Sequence, residues 1–218
     1  MSTSLLSKYL EEKSDGILKI QPEVSDNTNR YQMFDSGAVS VEEAEFLYGL
    51  IRVLKPLEVL TTGIFTGISD MYIAQALIDN EIGKLTALEI GEHHLQRARS
   101  LWEKVGVISV IDSKLISSLD FIPDKEFELI FLDSEPEIRF KELVKFYPNL
   151  KLGGYIGIHD LPVDLVQGNI NPDHPNFPSW PYGNVPEEMK QLLKEGKLIR
   201  FHLPTPRDCA FFYSNNKI

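Results

Sequence analysis

The feature that most constrains this chain is the alternation, from residue 58 to residue 158, of short strand-like runs with amphipathic helical stretches. Glu58 to Thr62 reads as a strand, Ile68 to Ile78 as a helix, Lys84 to Glu89 as a strand and Glu92 to Val105 as a helix. Val107 to Ile111 is expected as a third strand, Glu128 to Leu132 as a fourth and Glu137 to Phe146 as a helix. Gly154 to Ile158 follows as a fifth strand, after a turn at Lys151-Leu152-Gly153. Parallel neighbours need right-handed crossovers, so the pattern predicts a doubly wound α/β fold with a mostly parallel sheet covered on both faces. The ending differs: after a helix from Pro186 to Lys194, Lys197 to Leu203 and Cys209 to Tyr213 suit an antiparallel pair at the sheet edge.

Before the alternation begins, Ser40-Val41-Glu42-Glu43 has the form of a capping box, since Ser40 can accept from the Glu43 amide while the Glu43 carboxylate reaches back. A helix is expected from Val41 to Val53, with Phe46, Leu47, Leu50, Ile51 and Leu54 at helical spacing and Pro56 as its stop. Residues 1–39 read as an N-terminal appendage to a single domain spanning 1–218. Between Pro162 and Pro186 the chain holds Pro172, Pro175, Pro178 and Pro181 together with His174, Phe177, Trp180 and Tyr182. So many prolines exclude regular helix or central strand, and a long connection of this kind is expected as a lid over a site, the alternative being an ordered excursion whose aromatics pack down.

Charge narrows the function classes. Lys and Arg number 22 against 32 Asp and Glu, a net charge of −10 that repels phosphate backbones and anionic lipid. Neither nucleic acid nor a membrane is expected as a partner; a small molecule is, and a homodimer stays open. The single Cys209 cannot form an internal disulfide, and Met1 to Leu6 carries neither a basic leader nor a long apolar run, so a cytoplasmic setting is expected.

In open α/β sheets ligands bind outside the carboxyl ends of the strands. The first strand leads into Thr61-Thr62-Gly63-Ile64-Phe65-Thr66-Gly67-Ile68-Ser69, where the glycines permit close backbone approach before a helix N-terminus. Glu89 ends the second strand, placed to accept from a ribose diol; its bland alternative is a turn acid. The third strand is expected to end at Asp112-Ser113, the fourth at Asp133-Ser134 and the fifth at His159-Asp160. Gly63 and Gly67 do not make the Gly-x-Gly-x-x-Gly pattern of dinucleotide sites, which points to an adenosine ligand without a diphosphate.

At these residues the chain resembles the class I S-adenosylmethionine-dependent methyltransferases, in the version of the small O-methyltransferases related to the catechol and caffeoyl-coenzyme A enzymes. Val59 to Ser69 matches the first motif, followed in order by Ala87-Leu88-Glu89, Phe127 to Asp133 and Leu152 to Asp160. The resemblance covers roughly residues 38–160 and implies a Rossmann-like sheet of seven strands with the last antiparallel. It implies S-adenosylmethionine as cofactor, with Gly63, Phe65, Thr66 and Gly67 beneath the methionine part, Ser69 near its carboxylate, Glu89 on the ribose, and Asp112 and Ser113 beside the adenine; Asp133 is a further cofactor-binding and catalytic candidate, its bland alternative being a helix or loop cap. Thr61 stands where relatives usually carry an acid. Relatives that use a metal hold it with an acid matching Asp133 and an Asp-Asn pair, which here is His159-Asp160. A divalent metal is therefore left open, with Asp133, His159 and Asp160 as its ligands if one is held.

Methyl transfer from a sulfonium is an in-line displacement that must also remove the acceptor's proton. His159, with an intrinsic pKa of about 6.5, is the candidate base, and Asp133 or Asp160 could hold its tautomer; a metal ligand or a satisfied structural histidine are the alternatives. His93 and His94, at a helix start, read as solvent-facing, and no Cys/His cluster has zinc spacing. The expected activity is O-methylation of a small hydroxylated molecule. The competing readings are a catalytically degenerate domain that binds the cofactor or a partner, and an NAD-dependent oxidoreductase, which the missing third glycine disfavours.

Overall fold

A computed structural model describes residues 4–22, 31–35, 38–161, 186–203 and 209–215. The elements run α1 (Leu5–Lys13), β1 (Ile20–Pro22), β2 (Gln32–Phe34), α2 (Val41–Leu54), β3 (Glu58–Thr62), α3 (Ile68–Asn80), β4 (Lys84–Glu89), α4 (Glu92–Val105) and β5 (Ile111–Leu115). They continue with β6 (Phe127–Leu132), α5 (Pro136–Phe146), β7 (Leu150–His159), α6 (Glu187–Lys194), β8 (Leu198–Leu203) and β9 (Cys209–Ser214). Seven strands form one sheet in the order β5-β4-β3-β6-β7-β9-β8. The first five pair in parallel, while β9 enters between β7 and β8 antiparallel to both. The doubly wound, mostly parallel sheet with an antiparallel last strand is thus observed as the sequence predicts.

Alternation along the strands divides the core into two layers. Val59, Leu85, Ala87, Leu129 and Phe131 point to one face, where α2, α3 and α4 cover them with residues such as Leu47, Ile51, Met71, Ile73 and Trp102. Leu60, Leu88, Ile130, Leu132, Ile156 and Ile158 point to the other, beneath Phe140, Leu143 and Phe146 of α5 and Met189 of α6. Burying each such side chain contributes roughly 1.5–3 kcal/mol. In the leading segment Leu10, Leu18 and Phe34 are buried in the first layer, and the Tyr72 hydroxyl donates to Ser7 Oγ at 3.0 Å. The capping box is present, with Glu43 N donating to Ser40 Oγ at 3.2 Å and Ser40 N to Glu43 Oε2 at 3.0 Å. Among the described residues no helix is long and apolar enough to cross a membrane.

Two expectations are corrected. The third strand is Ile111–Leu115; Val107 is instead buried as the chain leaves α4, and Ile108–Val110 form a 3₁₀ turn. β5 is an edge strand with a single neighbour, so it is only half covered and tolerates Asp112, Ser113 and Lys114, whereas the apolar run before it serves the helix-to-sheet junction. The fifth strand begins at Leu150 and absorbs Lys151-Leu152-Gly153 as an irregularity, its register against β6 shifting between Phe127 and Leu129. Gly153 carries φ +82°, and at Gly154 a Cβ would stand 2.8 Å from the Glu128 carbonyl oxygen, so the bulge needs both glycines.

Register positions the site. Leu88 and Leu132 lie on either side of Thr62, and Ile158 lies beside Leu132. Glu89, Gly63, Asp133 and His159 therefore emerge along one rim, at the point between β3 and β6 where the chain reverses its direction of travel across the sheet.

Candidate active site

A cleft of about 370 Å³ opens at this rim, a size within the usual range for small-ligand sites. Its lining includes Gly63, Phe65, Thr66, Ser69, Glu89, Asp133, His159 and Asp160, all singled out from the sequence. Gly67 lies under the loop. With φ +76° and Trp102 Nε1 only 2.7 Å from where a Cβ would be, it lets α4 pack against the loop, and the Trp102 indole donates to its carbonyl at 2.8 Å. Gly63, at φ +75°, meets the other wall: a Cβ there would fall 2.3 Å from the Asp133 carbonyl oxygen.

Glu89 is nearly buried, and its carboxylate is fixed by two backbone amides: Gly91 N donates to Oε1 at 2.7 Å and Phe65 N to Oε2 at 3.0 Å. Each oxygen keeps a lone pair for a further donor. Phe65 adopts φ +47°, a left-handed conformation rare for an aromatic residue, and its half-exposed ring lies 5.1 Å from that of His94. His94, expected to face solvent, lines the cleft instead.

The opposite end is a cluster of buried charge. His159 is 2% exposed; its Nδ1 lies 2.6 Å from Asp133 Oδ1 and 3.3 Å from Asp160 Oδ2, and its Nε2 lies 3.4 Å from Glu43 Oε2. Burial by itself disfavours the charged imidazole, but Asp133, Glu43 and Asp160 outweigh it and hold the pKa at about 10. Glu43 responds in kind: burial pushes its carboxyl up, while His159 and the Ser40 donors bring it below the ordinary value.

Arg139 is 4% exposed and interlocks this cluster. Its Nη2 donates to Asp133 Oδ1 at 3.1 Å, Nη1 to Asp160 Oδ2 at 3.2 Å and to the His159 carbonyl, and Nε to the Ser134 carbonyl at 2.7 Å. Arg139 sits in the first turn of α5, which begins at Pro136 directly after β6. Helical side chains lean toward the N-terminus, so this one reaches back over the ends of β6 and β7. Below it, buried Glu142 accepts from Ser134 Oγ at 2.6 Å and Thr62 Oγ1 at 3.2 Å, tying the ends of β3 and β6 together.

The remaining sequence expectations fare differently. Asp112 and Ser113 do not line the cleft, because the later start of β5 puts them inside the strand: Asp112 pairs with Lys114 at 2.9 Å, and Ser113 Oγ accepts from Arg99 Nε at 2.8 Å. The loop reaching the cleft is Ile116, Ser117 and Ser118. The lid expected over 162–186, with Phe177, Trp180 and Tyr182, lies outside the described residues except for Pro186. Sequence reasoning missed Arg139 altogether, and it read Glu43 only as a cap. Arg139 lies one turn into α5 and six residues after Asp133, a place that does not by itself tell a buried arginine from an exposed one.

Asp133, His159 and Asp160 each offer one ligand atom within 4.8 Å of the others, a spacing that could suit a metal ion. Their chemistry does not fit one, because the Arg139 guanidinium bridges both carboxylates and His159 Nδ1 lies against the same oxygens. One oxygen of each carboxylate already accepts from the Arg139 guanidinium, so a divalent ion there would lie beside a fixed positive charge.

A family model described as O-methyltransferase matches residues 11–180. Tapetum-specific methyltransferase 1 of Arabidopsis thaliana is 28% identical over 133 residues, 58% of this chain and 56% of the relative. Caffeoyl-CoA O-methyltransferase 2 of Petunia hybrida is 26% identical over 126 residues, 54% of this chain and 51% of the relative. The chain thus spans just over half the length of these curated relatives. Among solved structures, the O-methyltransferase TomG of Streptomyces achromogenes, in complex with SAM, aligns with a TM-score of 0.65 at 18% identity over 99% of this chain and 92% of that one. The O-methyltransferase of Bacillus cereus, in complex with SAH, gives a TM-score of 0.66 at 17% identity with the same coverage, 99% and 92%. Both share the fold. Since the family model covers most of the chain, including every strand end that lines the cleft, the protein belongs to the O-methyltransferase family.

Proposed function

We propose that this chain transfers a methyl group from S-adenosylmethionine to a hydroxyl oxygen of a small molecule. The observation that carries the reading is Glu89: a carboxylate at the end of β4, fixed by two backbone amides at the mouth of the cleft, with lone pairs left for a ribose diol. The residues fit that cofactor. Gly63 and Gly67 keep the loop free of side chains, Ser69 lines the cleft at the start of α3, and nothing in the loop is arranged for a pyrophosphate. When bound, S-adenosylmethionine supplies an electrophilic methyl group on a positive sulfonium.

The chain's own groups would then orient the acceptor and accommodate its proton. His159 is a poor base at neutral pH, because it already carries a proton shared with carboxylates. Asp133 is better placed: the bonds it receives from Arg139 and His159 both end on Oδ1, leaving Oδ2 to accept from an acceptor hydroxyl in the cleft. The cations Arg139 and His159 behind it favour the negative charge that develops on that oxygen.

Titration calorimetry with S-adenosylhomocysteine and NAD in parallel tests the binding half. Saturable binding of the first and none of the second is expected; the reverse would replace methyl transfer with oxidoreduction. Transfer of labelled methyl from S-adenosylmethionine to a panel of phenols and alcohols tests turnover. Cofactor binding with no transfer to any acceptor would leave a binding domain in place of an enzyme.

A further inference from the structure

The cluster at the ends of β6 and β7 holds its own cation. Arg139 makes four named hydrogen bonds there, two of them to the carboxylates of Asp133 and Asp160 at 3.1 and 3.2 Å, and it is almost wholly buried. We propose that the Arg139 guanidinium is the permanent cation of this site, standing between Asp133 and Asp160 where a divalent metal would otherwise bind, so that the chain acts without a metal ion. The inference rests on the methyl-transfer reading and specifies how that site is charged.

Three observations support it. A guanidinium stays charged at every physiological pH and matches paired carboxylates with fixed donors, so it competes for these oxygens continuously. Its anchors are partly backbone: the Ser134 and His159 carbonyls hold it whether or not the acids are engaged. His159 Nδ1 adds a third group against the same carboxylate oxygens, 2.6 Å from Asp133 Oδ1 and 3.3 Å from Asp160 Oδ2. Magnesium binds through several oxygens at near-octahedral geometry and keeps waters of its own, which a pair of acids already bonded to Arg139 and His159 does not offer. A divalent ion placed there would also lie beside a fixed positive charge.

The test is a titration of Mn²⁺ into the full chain, with and without S-adenosylhomocysteine, followed by paramagnetic resonance of the free ion. The wild type should show no saturable site up to about 1 mM, the weak end of protein affinities for a divalent ion. Arg139→Met should gain a single site at least ~10-fold tighter, through the carboxylates it frees, and Asp160→Asn added to that variant should remove it. A saturable wild-type site that Asp133→Asn abolishes would overturn the proposal. Should Arg139→Met not fold, Arg139→Gln, which keeps hydrogen-bond donors but not charge, carries the same arm; a folded Arg139→Gln with no Mn²⁺ site would equally overturn the claim that the guanidinium excludes the metal. Calorimetry with S-adenosylhomocysteine on the same samples separates the two readings: lost cofactor binding sinks the methyl-transfer function, whereas the Mn²⁺ result speaks to Arg139 alone.

Discussion

His159 Nδ1 stands 2.6 Å from Asp133 Oδ1, and the ring is 2% exposed, so these two residues form an ion pair inside the protein instead of a base waiting for a substrate. A group whose folded pKa lies near 10 against an ordinary 6.5 contributes stability that is fully present below pH 6.5 and is lost as pH rises toward 10. Urea melts of the wild type should therefore weaken by a few kcal/mol between pH 6.5 and 10. His159→Gln should be less stable at pH 6 but flatter over that window, and a wild type with flat stability would contradict the ion pair. The rate of methyl transfer should likewise lack a rising limb near pH 6.5.

Glu89→Ala should weaken S-adenosylhomocysteine binding by at least ~30-fold, since charge-assisted hydrogen bonds contribute about 1.5–3 kcal/mol each. Glu89→Gln, which keeps one acceptor oxygen, should fall between that variant and the wild type. Calorimetry on folded variants reads both, and an unchanged Kd in Glu89→Ala would remove Glu89 from the binding site.

Asp70 offers a second pH signature. It is 1% exposed, burial raises its carboxyl to about 7 despite the Thr61 hydroxyl that donates to it at 2.5 Å, and Asp133 and Glu89 add to the rise. Here the charged form is the unfavourable one, so its cost to stability appears as pH climbs from about 4 to 7 and persists above. Asp70→Asn should raise thermal stability at pH 8 by roughly 1–3 kcal/mol and do little at pH 4. A loss of stability at pH 8 would show that the ionised carboxylate has a stabilising partner.

Gly63→Ala should cost at least about 2 kcal/mol, through the left-handed backbone and the collision with the Asp133 carbonyl together. Because the loop and the end of β6 would have to separate, S-adenosylhomocysteine affinity should fall along with the melting temperature. A melting curve and a binding isotherm on the same preparation check both, and a fully stable variant would mean that the loop has room to shift.

The central elements were legible because their signals are local. Buried parallel strands such as Leu129 to Leu132 are continuous apolar runs, and the Ser40–Glu43 cap announced α2 at the residue where it starts. β5 was misplaced for the opposite reason: as an edge strand it carries Asp112 and Lys114, while the more apolar Val107 to Val110 turns a corner. The cleft acids were legible as strand ends. The protonation of His159 was not, because the carboxylates that face it come from Glu43 on α2, Asp133 after β6 and Asp160 after β7, and only the folded register brings these together. Arg139 was hidden likewise, since no periodicity distinguishes an arginine facing water from one reaching back over two strand ends.

Glu43 caps α2 and also faces His159, which follows it in the chain by about 116 residues. During synthesis this acid emerges long before the imidazole that compensates it, and a buried carboxylate without a partner is costly. The cation that faces Glu43 at the start of α2 therefore arrives only with β7. A fragment ending at β6 would have the glycine loop, Glu89 and most of the first core layer, yet Glu43 would keep only its Ser40 donors and lack the cation it faces. Cofactor loop and charged cluster are thus bound into one cooperative unit, completed only when the later strands arrive.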